Sequence, residues 1–146
     1  MPEIDYFIIP GASMSTINNL VNEKPLINFI KNSSDEDTTL VSICTGSYLL
    51  ASTGLLNDKR ATTHYFVADD FSKQFKAIDV VKDVRFVDEG KFITSSGITS
   101  GIDASLHIVG QNSGLKIRGM IERALQYSFH QEEDWPVAPN GMKYQR

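Results

Sequence analysis

The stretch Leu40–Leu56, LVSICTGSYLLASTGLL, decides the fold because it joins an apolar strand to a helix through a tight turn. Thr38–Cys44 is rich in apolar and β-branched residues and predicts a buried strand. The dipeptide Thr45-Gly46 breaks that run, and Ser47–Thr53 then has helical apolar spacing that stops before Gly54. A buried strand that leads directly into a helix is the repeating unit of an α/β sheet.

Elements of the same kind lie on both sides of this unit. Upstream, Asp5–Ile9 predicts a buried strand that Pro10-Gly11 stops, and Leu26–Lys31 predicts a helix. Downstream, the pattern predicts a short strand, a helix, a hairpin and two helices: Ala61–Thr63, Tyr65–Phe75, Val84–Asp88 with Lys91–Ser95, Ile102–Val109 and Leu115–Phe129. Strands that alternate with helices predict an α/β sheet, parallel apart from the hairpin. No repeat or linker interrupts the pattern, so we expect a single domain over residues 1–146.

Composition and charge narrow the function classes. The chain has 146 residues, of which 41% are hydrophobic and 22% charged, as in an ordinary globular domain. A net charge of −4 disfavours a nucleic-acid partner, and no apolar run is long enough to span a membrane. A single cysteine cannot form an internal disulfide, which favours a cytoplasmic location. No second cysteine or histidine stands at metal-ligand spacing, and we expect neither a metal nor an organic cofactor.

Cys44 lies where the predicted strand meets the helix, with Ser42 and Gly46 two positions to either side. A nucleophile raised on a sharp strand-to-helix turn needs small neighbours, because the backbone there is strained and crowded. The start of the following helix would favour a thiolate over a thiol and would stabilise an anionic transition state. The alternative is a buried structural cysteine, since free cysteine is among the most buried residue types. The turn by itself does not decide between these two interpretations.

Two further segments are predicted to end beside Cys44. His64 follows the short strand Ala61–Thr63, and the ends of parallel strands converge at one edge of a sheet. His64 would then serve as a base or an acid for the thiol, although a lone histidine is more often an ordinary surface residue. Pro10–Ala12 ends the first strand and would present backbone N–H groups, although taken by itself it is better explained as a plain turn.

The other two histidines have a structural interpretation. His107 comes four residues after Asp103 on a predicted helix, which predicts a local pair between them. His130 stands at the end of the last predicted helix, where a cation is favourable.

Four blocks of the chain together resemble the ThiJ/PfpI superfamily, which shares the class I glutamine amidotransferase-like fold. They occur in family order and are Asp5–Ala12 (DYFIIPGA), Leu40–Leu56, Ala61–Tyr65 (ATTHY) and Phe92–Val109 (FITSSGITSGIDASLHIV). The turn and the last block are most similar to isonitrile hydratases. They are equally similar to the amidotransferase-like domains of AraC-type regulators.

The resemblance implies a flavodoxin-like three-layer sandwich with a mostly parallel sheet. It implies that Cys44 is the nucleophile, that His64 lies near the thiol, and that Thr45 takes part in catalysis as in the hydratase-like branch. The protease-like branch has a histidine at the position of Thr45, so a protease is the weakest expectation. The residues expected at the oxyanion and substrate site are Gly11, Ala12 and Gly46.

The resemblance also implies that the domain is incomplete at its N-terminus. Family members usually begin with a strand, a helix and a further strand before the DYFIIPGA block, and that part carries an acidic residue that contacts the nucleophile. Without it, either Leu40–Cys44 or Tyr6–Ile9 would have unpaired backbone groups. Three explanations stay open: a fragment or shortened gene product, a second chain that supplies the missing elements, or remaining strands that pair differently.

Three functions are compatible with these residues. The first is a cysteine enzyme that resembles an isonitrile hydratase, a lyase that adds water to a small electrophilic substrate. The second is a non-catalytic, ligand-sensing domain as in the regulators, which the missing acid favours. The third is a glyoxalase- or deglycase-like stress activity, which the turn sequence fits less well. We expect a small-molecule substrate and a homodimer, since family members are commonly dimers.

Overall fold

The structure is a computed structural model and describes residues 4–129, so that His130 and the chain beyond it lie outside the described residues. The described residues form the strands β1 (Tyr6–Ile9), β2 (Thr39–Ile43), β3 (Arg60–Ala61), β4 (Asp79–Val80), β5 (Phe86–Asp88) and β6 (Phe92–Ser95). They also form the helices α1 (Met14–Leu20), α2 (Lys24–Asn32), α3 (Ser47–Ser52), α4 (Ala68–Gln74) and α5 (Ser100–Leu125). Two short 3-10 turns cover Cys44–Gly46 and Tyr65–Val67.

The main sheet has the strand order β1-β2-β6-β5. Strands β1, β2 and β6 are parallel, and β5 joins the edge as the antiparallel partner of β6 in the predicted hairpin. Strands β3 and β4 form a separate parallel pair. In the main sheet Val41 is flanked by Ile8 and Ile93, which brings three apolar strands into register. The predicted α/β architecture with a mainly parallel sheet is therefore confirmed.

Helices cover both faces of the main sheet and produce three layers. On one face, side chains from α1 to α4 pack on Leu40 and Phe92; the largest are Tyr48, Phe71, Ile17 and Leu50. On the other face, Val41, Ile93 and Phe86 pack against Ala104 of α5. Apolar residues on both sides of a strand are what a parallel sheet between two helix layers requires.

Among residues 4–129, strand β1 pairs with β2 alone and its other side is open, whereas β2 is paired on both sides. An apolar groove of about 260 Å³ runs along β1 and the helices beside it. Ile8 is 59% exposed and Phe29 is 49% exposed at this edge. Of the two strands that were expected to have unpaired backbone groups, the one with an open side in the described part of the chain is thus Tyr6–Ile9, and not the strand that leads to Cys44.

Helix α5 unites the two helices predicted at Ile102–Val109 and Leu115–Phe129. Gly114 interrupts it with a φ of 83° and a ψ of 163°, values that are not helical. The second part ends at Leu125, earlier than predicted, because Gln126 adopts a left-handed conformation. Phe129 then packs near Phe86, with 6.2 Å between the ring centroids. Within residues 4–129, no helix is both long and apolar enough to cross a bilayer.

Candidate functional site at the strand-to-helix turn

Cys44 occupies a strained turn between β2 and α3. Ile43 is still extended, with a φ of −107°, whereas Cys44 has a left-handed φ of 56° and begins the 3-10 turn that leads into α3. A left-handed conformation is uncommon for a residue with a side chain, and such strain is concentrated at functional sites. The side chain of Cys44 is partly exposed. The turn therefore places a partly exposed cysteine at the carboxyl end of β2.

Two glycines allow the end of β1 to approach this turn. A Cβ atom on Gly46 would lie 2.4 Å from the carbonyl oxygen of Ile9, which is far too short for a non-bonded contact between carbon and oxygen. A Cβ atom on Gly11 would lie 3.0 Å from the Cβ of Cys44. The expected neighbours Gly11 and Gly46 thus both lie at the contact between the end of β1 and the turn.

Thr45 fastens the segment after β1 to the turn. Its hydroxyl group donates a hydrogen bond to the carbonyl oxygen of Ala12 at 2.7 Å and accepts one from the amide of Ala12 at 2.9 Å. The Ala12 amide, an expected donor to the oxyanion, is directed at Thr45 in this structure. The first amides of a helix have no partner within the helix, so those of Thr45 and Gly46 are better placed to bind an anion.

Two buried hydroxyl groups support the turn from below. Ser47 donates a hydrogen bond to the Oγ1 of Thr63 at 2.7 Å, and Thr63 in turn donates to the carbonyl oxygen of Cys44 at 3.3 Å. The Oγ of Ser47 also lies 3.1 Å from that carbonyl oxygen. These two residues were not predicted from the sequence. The feature that could have identified them is that each is a hydroxyl residue next to the predicted site, within the blocks around Cys44 and His64.

His64 directly follows Thr63 and is half-buried. Its Nδ1 atom accepts a hydrogen bond from the amide of Phe66 at 3.3 Å, and its ring lies beside that of Tyr65, with 4.7 Å between centroids. The Cδ2 and Nε2 edge faces Gly97, where a Cβ atom would lie 3.4 Å and 3.5 Å from those two atoms. Burial lowers the pKa of His64, so that the ring is neutral near neutral pH.

The helix that follows the turn also positions the segment after His64. Tyr48 of α3 is almost fully buried, and its hydroxyl group donates to the carbonyl oxygen of Val67 at 3.1 Å. Burial, and then the negative charge of Asp70, raise the pKa of Tyr48 to about 12. The hydroxyl group therefore remains a donor across the physiological range, and it connects α3 to the turn at Tyr65–Val67.

A buried ion pair holds the loop that faces His64. Asp103 is fully buried, and its Oδ2 lies 3.5 Å from Nη1 of Arg85 and accepts a hydrogen bond from Tyr127 at 3.0 Å. The same Nη1 donates to Thr99 of the loop at 3.2 Å. Arg85 and Asp103 therefore connect the hairpin, the loop and α5.

This arrangement corrects the predicted pair of His107 with Asp103. His107 lies 2.7 Å from Asp88 at the end of β5 instead, and Gln111 donates to the same carboxylate at 3.0 Å. The interpretation of His107 as structural is compatible with these contacts. Asp103 points toward the start of the hairpin, where Arg85 offers a permanent charge. No group of three or more histidine, cysteine or acidic side chains gathers in metal-binding geometry within residues 4–129.

The fold and the turn define an α/β protein with a cysteine raised between a parallel strand and a helix. Residues 2–111 match the DJ-1/PfpI family, and the chain belongs to that family. It is 33% identical over 127 residues to the isonitrile hydratase of Pseudomonas putida. The aligned residues make up 87% of this chain and 54% of that protein. The chain thus spans about half the length of that relative.

Regulators and solved structures are also similar to the chain. The HTH-type transcriptional regulator CdhR of Pseudomonas aeruginosa is 35% identical over 89 residues, or 61% of this chain and 26% of the regulator. DJ-1beta of Drosophila melanogaster has the same fold, with a TM-score of 0.73 at 19% identity over 88% of this chain and 67% of that one. The expected flavodoxin-like fold is therefore confirmed.

Proposed function

We propose that the chain carries a cysteine-dependent activity of the isonitrile hydratase kind, the addition of water to a small electrophilic carbon. The observation that carries this proposal is the partly exposed Cys44 at a φ of 56°, at the start of the turn into α3. The similarity to the isonitrile hydratase of Pseudomonas putida supports the substrate class. Because the chain spans about half of that enzyme, the complete activity belongs to the proposal.

The proposed reaction begins with a bond between the thiolate of Cys44 and the terminal carbon of an isonitrile. That carbon takes up a proton, which gives a thioimidate. Water then adds its oxygen to the carbon, and one of its protons goes to the nitrogen. The carbon–sulfur bond breaks with return of the electron pair to sulfur, while the new hydroxyl group releases its proton to solvent and becomes the carbonyl oxygen; this release balances the proton that the carbon took up. The product is an N-substituted formamide, and the net change is the addition of one water molecule. The amides of Thr45 and Gly46 would stabilise the negative charge that develops near sulfur.

A non-catalytic, ligand-sensing role is the second candidate. The regulator GbdR of Pseudomonas aeruginosa is 26% identical over 94% of this chain, so the described domain is also similar to a part of transcriptional regulators. In that case Cys44 would bind no substrate covalently. The two candidates differ in thiol reactivity, because only the enzyme needs a sulfur that attacks electrophiles near neutral pH.

Incubation with a small alkyl isonitrile tests the proposal. We expect the wild type to form the formamide, the variant Cys44→Ala to form none, and the control variant Ser105→Ala on α5 to match the wild type. Equal turnover by the wild type and Cys44→Ala would contradict a cysteine-dependent mechanism. Slow labelling by iodoacetamide together with absent turnover would instead favour the sensing role.

We also propose that two copies associate through the open edge of β1. An edge strand with one open side and an apolar groove beside it is a site at which a further strand can add. Two copies related by a two-fold axis would place one β1 antiparallel to the other and would cover Ile8 and Phe29 on both. A different polypeptide that supplies a strand would occupy the same edge. The cytoplasmic location expected from the single cysteine remains part of the proposal.

A further inference from the structure

The imidazole ring of His64 is anchored through its Nδ1 atom. The amide of Phe66 donates to this nitrogen at 3.3 Å, so that His64 caps the 3-10 turn at Tyr65–Val67. A ring nitrogen that accepts a hydrogen bond from an N–H group must keep its lone pair and carries no proton. In the neutral ring, the proton is therefore on Nε2.

The edge of the ring that bears this proton faces the loop between β6 and α5. Gly97 lies beside it, and a Cβ atom there would come within 3.5 Å of Nε2. Because residue 97 is a glycine, no side chain of that residue covers the donor. The hydroxyl of Thr63, the preceding residue, donates to the carbonyl oxygen of Cys44 at 3.3 Å, which connects the segment that bears His64 to the turn at Cys44.

We infer that His64 acts as a neutral Nε2–H hydrogen-bond donor to the ligand, and not as the base that takes the proton of Cys44. The ligand atom that it would bind is a nitrogen or oxygen with a lone pair. Under the proposed function, on which this role rests, that atom is the nitrogen of the thioimidate. Electron density on this nitrogen rises when water adds to the neighbouring carbon, so a fixed donor favours that step without a proton transfer to or from His64.

Two substitutions separate the donor from the acceptor. In His64→Gln, the side-chain amide nitrogen takes the position of Nε2 and supplies an N–H group there, but it cannot titrate. In His64→Asn, the side-chain oxygen takes the position of Nδ1 and accepts from the Phe66 amide, but no donor remains at Nε2. A role limited to the cap would be preserved in His64→Asn, and a role as donor would be preserved in His64→Gln.

Turnover of the alkyl isonitrile distinguishes these roles. We expect His64→Gln to be about tenfold faster than His64→Asn, since one hydrogen bond in the transition state is worth about that factor. Because only His64→Asn keeps an acceptor for the Phe66 amide, we expect its melting temperature to be at least as high as that of His64→Gln. Equal and large losses in both variants would identify His64 as a base and would overturn the inference. A faster His64→Asn would likewise overturn it.

A spectroscopic measurement tests the tautomer without any substrate. Nitrogen-15 NMR of the histidine-labelled wild type reports which ring nitrogen is protonated, and the signals missing from His64→Gln identify His64. We expect a protonated Nε2 at neutral pH. A protonated Nδ1 would overturn the inference. If the tautomer is Nε2–H and no isonitrile is turned over, the proposed function fails while the assignment of the donor stands.

Discussion

The hydroxyl group of Thr45 forms two hydrogen bonds with one residue, as a donor to the carbonyl oxygen of Ala12 and as an acceptor from its amide. These two hydrogen bonds hold the segment after β1 against the turn at Cys44. Thr45→Val keeps the shape of the side chain and removes both bonds. We expect a loss of about 1–2 kcal/mol in the free energy of unfolding, because water can reach exposed Ala12 and replace part of the contact. Urea denaturation of the wild type and of Thr45→Val measures this difference in the free energy of unfolding.

The control for this prediction is Thr45→Ser, which keeps the hydroxyl group. We expect it to retain most of the stability and most of the thiol reactivity toward iodoacetamide. Equal losses in Thr45→Ser and Thr45→Val would mean that the methyl group, and not the hydroxyl group, stabilises the turn.

Gly46 is the position at which the turn tolerates no side chain. In Gly46→Ala the new Cβ would meet the backbone oxygen of Ile9 at 2.4 Å, and neither strand can move aside without loss of pairing. We expect a loss of about 3 kcal/mol in the free energy of unfolding. Gly119→Ala is a matched control because nothing lies within 4 Å of its Cβ position on α5. It should gain about 1 kcal/mol from helix propensity. Thermal unfolding should therefore show a lower melting temperature for Gly46→Ala and a higher one for Gly119→Ala than for the wild type.

Local pattern was sufficient to predict the parts of the fold in which neighbours in sequence are also neighbours in space. The strand before Cys44, the helix after it and the hairpin around Gly90 were predicted from apolar runs and turn residues, and all three are present. The left-handed conformation of Cys44 agrees with the strained turn expected from its small neighbours. The bounds shifted by a residue or two, since pairing with other strands decides where a strand ends.

Contacts across the chain were less predictable. The sequence favoured Asp103 and His107 as partners because they are one helical turn apart, but each side chain pairs with a residue of the hairpin instead, Arg85 and Asp88 respectively. A helix register limits which side chains share a face, whereas the packing of that face against β5 decides which partners they meet. The hydrogen bonds of Thr45 depend in the same way on where β1 ends.

The buried pair of Arg85 and Asp103 gives a third prediction. Asp103→Asn removes the negative charge and leaves the guanidinium charge of Arg85 in a buried site. We expect a loss of about 3 kcal/mol in the free energy of unfolding, and a displaced loop at Thr99. Asp69→Asn, which breaks the exposed pair with Lys82, should change the stability little. Similar losses in the free energy of unfolding of the two variants would show that the buried ion pair of Asp103 contributes no more to stability than the exposed pair of Asp69.

Asp88 makes stability depend on pH at the acid end. Burial by itself raises the pKa of this carboxyl group, but the hydrogen bonds from His107, the Gly90 amide and Gln111 outweigh burial and lower it. A carboxyl group with a lower pKa in the folded state stabilises the fold above its unfolded pKa, near 4, and the contribution is lost as pH falls through the folded value. Asp88→Asn should therefore flatten the fall in stability below about pH 4. An unchanged acid slope in urea titrations would contradict this.

The open edge of β1 gives the last prediction. Ile8 is 59% exposed on this edge, and a lysine there would place a charge where a second strand has to pair, which is how natural edge strands avoid association. We expect the wild type to be a dimer in light scattering coupled to size-exclusion chromatography, and Ile8→Lys to be a monomer with nearly unchanged thermal stability. Leu115→Lys is the matched control, because Leu115 is 67% exposed on α5 and lies outside the groove. That variant should remain a dimer.

A monomeric wild type would contradict association through β1, and a dimer that only Leu115→Lys disrupts would place the interface on α5. A wild type that becomes a stable complex only with a second polypeptide, and loses it in Ile8→Lys, would show that the edge accepts a strand from another chain rather than from a second copy.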